Sequence, residues 1–247
     1  MKITRYLQCR IYGVASYLHR RSGLLIGLNS SSLSSPNVIA ILDGILDPVV
    51  VDIGCNQGDF VSDIMEVRQN SIFYCFDINP DCGTALKLRF PQSKVNFLNF
   101  GLSNESGESN FVSQSPYDRK AHLSPKHNKP SSNVLVKKVK VCTLDEIVSS
   151  LGISRIDILK IDTEGHDYRV LLGARESLKK TNIVYFEVMY RLLIEGSEPQ
   201  DILELLKSNG FNFFYRLTRY LGLQPINRIL PWEVATQNVI ASRKKLR

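Results

Sequence analysis

The sequence predicts an α/β fold with a doubly wound, mostly parallel sheet. Short apolar runs recur along the chain, amphipathic stripes separate them, and polar or glycine-rich residues stand directly after each run. Strands covered on both faces read as continuous Val/Ile/Phe segments, and helical crossovers between them make them parallel.

Taken in order, Val49–Ile53 is the first strand, closed by Gly54, and Phe60, Val61, Ile64 and Met65 form a helical stripe after it. Ile72–Ile78 (IFYCFDI) and Val95–Phe100 are the second and third buried runs. Residues 103–133 are polar, with three prolines and two histidines. They are too long for an ordinary connector and are expected to be a substrate loop or an inserted hairpin. Val134–Val141 (VLVKKVKV) alternates in part, as a half-buried strand does. Thr143 and Glu146 form a capping box that opens a helix over Leu144–Leu151. Ile156–Ile161 is the next strand, Asp167–Lys179 a helix, and Ile183–Met189 a further strand. Ser197-x-x-Gln200, with Pro199 inside the first turn, starts another helix that Gly210 ends, and Phe211–Leu217 with Asn238–Ser242 form a terminal strand pair.

A chain of 247 residues with 43% hydrophobic and 22% charged residues accommodates one such domain with appendages. Its net charge of +7 is unevenly placed. Residues 1–42 carry Lys2, Arg5, Arg10, Arg20 and Arg21 and no acid, and the last five residues add Arg243, Lys244, Lys245 and Arg247. Between these ends stand 22 basic and 24 acidic residues, so the core lacks the basic cleft of a nucleic-acid enzyme. Residues 1–36 are expected to be a basic helical extension and linker, and 37–247 the Rossmann-like domain. The extension could pack on the core, the favoured reading, or make weak peripheral membrane contact through residues 1–28. Five cysteines without a CxxC pair fit a reduced, cytoplasmic protein and argue against zinc.

In a doubly wound sheet, ligands lie beyond the carboxyl ends of the strands, where strand order reverses. After the first strand comes Asp52-Ile-Gly54-Cys55-Asn56-Gln57-Gly58. Its GxxxG spacing departs from the dinucleotide fingerprint and suits a nucleoside whose tail is an amino acid, with Asp52 facing the ammonium. Asp77-Ile78-Asn79-Pro80 closes the second strand, and an acid at that distance from the glycines is placed to chelate ribose hydroxyls. Asn99 and Gly101–Ser103 close the third, where an adenine edge could sit. Lys160, Asp162, Glu164, His166 and Asp167 crowd the fourth strand-to-helix junction, and Glu187 ends the next strand. Repulsion among such carboxylates raises the pKa of one of them.

The strings VVDIGCNQGDF, FDINP, LDEI, IDILKIDTEGHDYRVLLGA and IVYFEV together resemble the FkbM family of S-adenosylmethionine-dependent methyltransferases, over roughly residues 48–190. The resemblance implies a seven-stranded class I methyltransferase sheet with its last strand antiparallel. It also implies S-adenosyl-L-methionine as cofactor and methyl transfer to oxygen on a sugar, glycolipid or other secondary-metabolite acceptor. Cofactor contacts are expected from Asp52, Gly54, Cys55, Asn56, Gln57, Gly58 and Phe60 in the first turn, and from Asp77, Ile78 and Asn79 in the second. Asn99, Gly101 and Asp162 complete them. Asp77 stands where many members have Glu. His166 is the expected general base, oriented by Asp162 or Glu164, with Glu187 and His122 towards the acceptor. A divalent cation on Asp162, Glu164 and Glu187 is possible but not favoured. The competing classes are a nicotinamide dehydrogenase, which would share the sheet but whose GxGxxG is missing, a nucleic-acid methyltransferase, and a non-catalytic, membrane-associated nucleoside-binding module.

Overall fold

Val49–Ile53 (β1), Ile156–Ile161 (β8) and Thr181–Val188 (β9) are rich in β-branched residues and covered on both faces, which is why they lie side by side in the middle of one sheet. The computed structural model describes residues 35–91, 93–113, 122–124, 135–188, 199–218, 222–229 and 237–246. The expected extension over 1–36 and the loop residues Lys120, Lys126, His127 and Lys129 fall outside these, except Ser35 and Pro36.

Ile72–Phe76 (β2), Lys94–Leu98 (β3), Phe213–Thr218 (β10), Gly222–Ile226 (β11) and Gln237–Ser242 (β12) complete the main sheet. Its eight strands lie in the order β11-β10-β12-β9-β8-β1-β2-β3. Strands β3, β2, β1, β8 and β9 are parallel, and β12 runs antiparallel between β9 and β10. These are the class I methyltransferase features implied by the resemblance, with one correction. Seven strands were expected, and β11 is an eighth, paired to β10 at the edge. Its sequence GLQPI hides it, because Gly and Pro argue against a central strand yet are tolerated at an edge.

Helices cover both faces. Ser35–Ile41 (α1) and Asp59–Met65 (α2) enclose Val50, Phe73, Ile158 and Ile240 on one side. On the other, Leu144–Ser150 (α4), Asp167–Leu172 (α5), Arg175–Lys179 (α6) and Pro199–Ser208 (α7) enclose Val51, Ile161, Phe186 and Val239. Asp81–Arg89 (α3) crosses from β2 to β3. Each fully enclosed Ile, Leu or Phe contributes roughly 1.5–3 kcal/mol relative to exposure. The capping box forms as expected, with the Thr143 side chain accepting from the Glu146 amide. The single helix expected over 167–179 is instead two, α5 and α6. Gly173 lies so close to the Ser103 carbonyl that a Cβ there would stand 2.1 Å from its oxygen, and the chain turns at that point.

The polar insertion carries a second sheet. Gly101–Leu102 (β4), Gly107–Ser113 (β5), His122–Ser124 (β6) and Leu135–Cys142 (β7) form it in the order β4-β7-β5-β6, the β5–β7 and β5–β6 pairs being antiparallel. Among the described residues no helix is long and apolar enough to cross a membrane.

Candidate active site

Strand order reverses between β1 and β8, since β2 and β3 lie to one side of β1 and β8 and β9 to the other. Parallel register places Asp52 beside Lys160, and Lys160 beside Tyr185. Two residues further on, at the carboxyl edge, come Gly54, Asp162 and Glu187. Residues far apart in sequence thus line one edge because the strands are parallel and in step.

The turn after β1 is fixed by its glycines. Gly54 has φ 76° and Gly58 φ 81°, both left-handed, and Asn56 is left-handed at 46°. The space that side chains would need is filled by protein. A Cβ on Gly54 would lie 1.9 Å from the Asp162 carbonyl oxygen, and one on Gly58 would lie 2.5 Å from Leu86. Gly54 therefore lets β1 and the end of β8 touch, rather than clearing room for a ligand. Asp52 also differs from expectation. It is 0% exposed, and Lys160 Nζ donates to its Oδ1 at 2.9 Å while its Oδ2 is buried without a hydrogen bond. Burial pushes its carboxyl up, and Lys160 opposes that shift. The acid that reaches the surface is Asp162, whose side chain is 40% exposed, with Oδ2 3.5 Å from Lys160 Nζ.

Asp77 is held by backbone amides on both oxygens. Its Oδ2 accepts from the Asn56 amide at 3.0 Å, tying the two turns together, and its Oδ1 accepts from the Asn79 amide at 2.9 Å. The Asn79 side chain accepts from the Asp81 amide just before α3. Asn99 donates to the carbonyls of Asp77 and Ile78, both at 2.8 Å, so it braces this turn. Ile78 and Asn79 are half-buried, and Gly101 packs on Ile78 and Val141. Cys55 is buried against Cys75, the Gln57 carbonyl accepts from Arg89, and the Phe60 ring is buried 5.5 Å from that of Tyr185. Of the expected contacts in the first turn, Asn56 and Gln57 thus lie nearer the surface than Cys55 or Phe60.

At the fourth junction Asp162, Glu164 and Glu187 offer carboxylate oxygens within 4.8 Å of one another, close enough to hold a cation. Glu164 adopts a left-handed φ of 55°, a conformation that costs a non-glycine residue about 1–3 kcal/mol. Burial, reinforced by Asp162, Asp167 and Glu164, pushes Glu187 up to about 9. Burial likewise raises Asp167 to about 7, against the hydrogen bond from Thr163 Oγ1 at 2.7 Å. His166 is 5% exposed, and its Nε2 lies 3.0 Å from Ser103 Oγ. This ring nitrogen is therefore held by Ser103, at the root of the second sheet, where the sequence suggested Asp162 or Glu164 as the orienting group. Sequence reasoning placed Ser103 only at the adenine edge and gave Lys160 no role. His122 lies on β6 and its side chain is outside the described residues.

This donor set fits a cationic nucleoside. Asp52 and Asp162, from two adjacent strand ends, flank Lys160, and Asp77, with both oxygens held by backbone amides, stands at a third strand end. A sequence profile described as the methyltransferase FkbM domain matches residues 52–213. The 2-O-methyltransferase NoeI of Sinorhizobium fredii is 27% identical over 221 residues, covering 79% of this chain and 90% of that protein. The hexuronic acid methyltransferase AglP of Haloferax volcanii is 29% identical over 163 residues, 65% of this chain and 62% of that protein. An rRNA methylase of known structure from Streptococcus thermophilus is 12% identical with a TM-score of 0.46, over 86% of this chain and 94% of that one.

Proposed function

The chain belongs to the FkbM methyltransferase family, and on that premise we propose that it transfers a methyl group from S-adenosyl-L-methionine to a hydroxyl of a sugar or related glycan. The observation that carries this reading is the family match over 52–213, which takes in the first turn, Asp77, the Asp162–Asp167 junction and Glu187. Transfer to oxygen is supported by the relative named as a 2-O-methyltransferase, and a sugar acceptor by the one named for hexuronic acid.

Bound at this edge, the cofactor supplies an electrophilic methyl group on a sulfonium. Asp77 would hold the ribose hydroxyls, Asp162 the ammonium, and the half-buried Ile78 side chain would offer an apolar surface to the base. Ser103 orients His166, which takes the proton of the acceptor hydroxyl as general base. A positioned base of this kind contributes typically about 10²–10⁴-fold in rate. His166→Ala should leave cofactor affinity within about twofold and lower kcat by about 100-fold. Titration calorimetry and an initial-rate assay read the two quantities separately, and normal turnover would remove His166 from the chemistry.

Convergence of Asp162, Glu164 and Glu187 favours a second reading, in which a divalent cation there polarises the acceptor oxygen. The favoured, metal-free reading expects full activity after dialysis against a chelator. Activity lost on dialysis and restored by magnesium or manganese would assign the cluster to a cation.

The acceptor class is tested with methyl-labelled cofactor and a panel of neutral and hexuronic acid-containing oligosaccharides. The label should appear as a methyl ether on a ring hydroxyl. Label found only on nitrogen, or as a carboxylate ester, would contradict transfer to a sugar hydroxyl.

A further inference from the structure

We propose that Lys160 is a positioning residue for the methyl donor: its ammonium tethers the Gly54 carbonyl and the Asp162 carboxylate in the arrangement that receives the donor's amino-acid end. The inference rests on S-adenosylmethionine binding at the β1–β8 edge and adds a residue to that reading.

Lys160 lies in the strand-end row between Asp52 and Tyr185. An ammonium has three donor positions and no acceptor. Two are taken by hydrogen bonds, to Asp52 Oδ1 at 2.9 Å and the Gly54 carbonyl at 3.2 Å, and Asp162 Oδ2 stands at ion-pair distance, 3.5 Å. The Phe60 ring lies 5.6 Å from Nζ and stacks near Tyr185, so the charge sits in an aromatic-walled enclosure, with the side chain 8% exposed. Burial works against the charge, but Asp52 and Asp162 outweigh it and hold the lysine above its ordinary value. Its place between two carboxylates, with Asp52 Oδ1 at 2.9 Å, suits a cation that holds position.

Two of its three partners belong to the candidate donor site. Gly54 opens the turn, and Asp162 is the acid that reaches the surface. Lys160 draws one Asp162 oxygen inward at ion-pair distance, which biases the carboxylate's orientation at the mouth. The β1 turn and the end of β8 are thereby locked together across 106 residues of sequence. Asp52, the third partner, is fully enclosed and serves as the counter-charge that makes the buried ammonium tolerable.

The test separates stability from positioning with Lys160→Met, Asp52→Asn and the double variant, each subjected to thermal unfolding and to calorimetric titration with S-adenosylmethionine. Lys160→Met leaves Asp52 buried without its partner, and both Tm and donor affinity should fall. In the double variant neither buried charge remains, so Tm should recover towards the wild-type value. Donor binding should stay at least tenfold weaker than in Asp52→Asn alone, because Gly54 and Asp162 still lack their tether. A double variant with recovered Tm and affinity within threefold of Asp52→Asn would overturn the proposal and leave Lys160 a purely structural cation. If the methionine variants do not fold, Lys160→Arg keeps the charge but displaces it. Weaker donor binding at wild-type Tm then supports the tether, and unchanged binding overturns it. Wild-type protein that binds no donor would instead remove the cofactor reading on which the inference rests.

Discussion

Asp77→Ala is expected to weaken S-adenosylmethionine binding by at least about 100-fold, since a carboxylate meeting two hydroxyls makes two charge-assisted hydrogen bonds of about 1.5–3 kcal/mol each. The structure prepares Asp77 for that role. Its two oxygens are held by the amides of Asn56 and Asn79, and Asn99 braces the turn beneath it. Burial raises its carboxyl, while those two amides and Cys82 work in the opposite direction. The amides released by the substitution lie at half-buried positions where water can reach them, so thermal stability should change far less than affinity. Asp77→Asn retains one acceptor and should fall between the two. Calorimetry on all three proteins checks this order, and an alanine variant that binds within threefold of wild type would remove the ribose role.

Gly54→Ala should act on the fold and the site at once. An alanine at φ 76° costs about 1–3 kcal/mol of strain, and the backbone must also move to relieve a contact of 1.9 Å with the Asp162 carbonyl oxygen. A total near 3 kcal/mol corresponds to a fall in Tm of about 6–12 °C for a chain of this size. The strand ends that separate are those carrying Asp162 and the β1 turn, so the variant should also lose the stabilisation that the cofactor gives. In wild type that stabilisation should reach about 2.7 kcal/mol at a cofactor concentration 100 times Kd. Thermal scans with and without cofactor show both effects. A variant with unchanged Tm and an undiminished ligand shift would mean that the close approach of β1 and β8 is dispensable.

The strand ends were legible because the signal is local. Apolar runs end at Gly54, Asp77, Asp162 and Glu187, and parallel pairing brings the residues after each run to one edge. Features that escaped depend on contacts between distant segments. Nothing near Lys160 in sequence indicates that Asp52, 108 residues earlier, would take its ammonium inward. The Ser103–His166 contact joins residues 63 apart through the root of the second sheet. Likewise, Gly173 reads as an ordinary helical glycine until the Ser103 carbonyl is seen against it, breaking the expected helix in two. The edge strand β11 was hidden by residues that weaken a strand everywhere except at an edge.

The most direct test is titration calorimetry of the folded wild-type protein with S-adenosylmethionine and, separately, with NADH. The residues gathered at the β1–β8 edge predict saturable binding of one S-adenosylmethionine per chain, weakened in Asp77→Ala, and no binding of NADH. Folded protein that gives no binding signal with S-adenosylmethionine, or that binds NADH instead, would contradict the account.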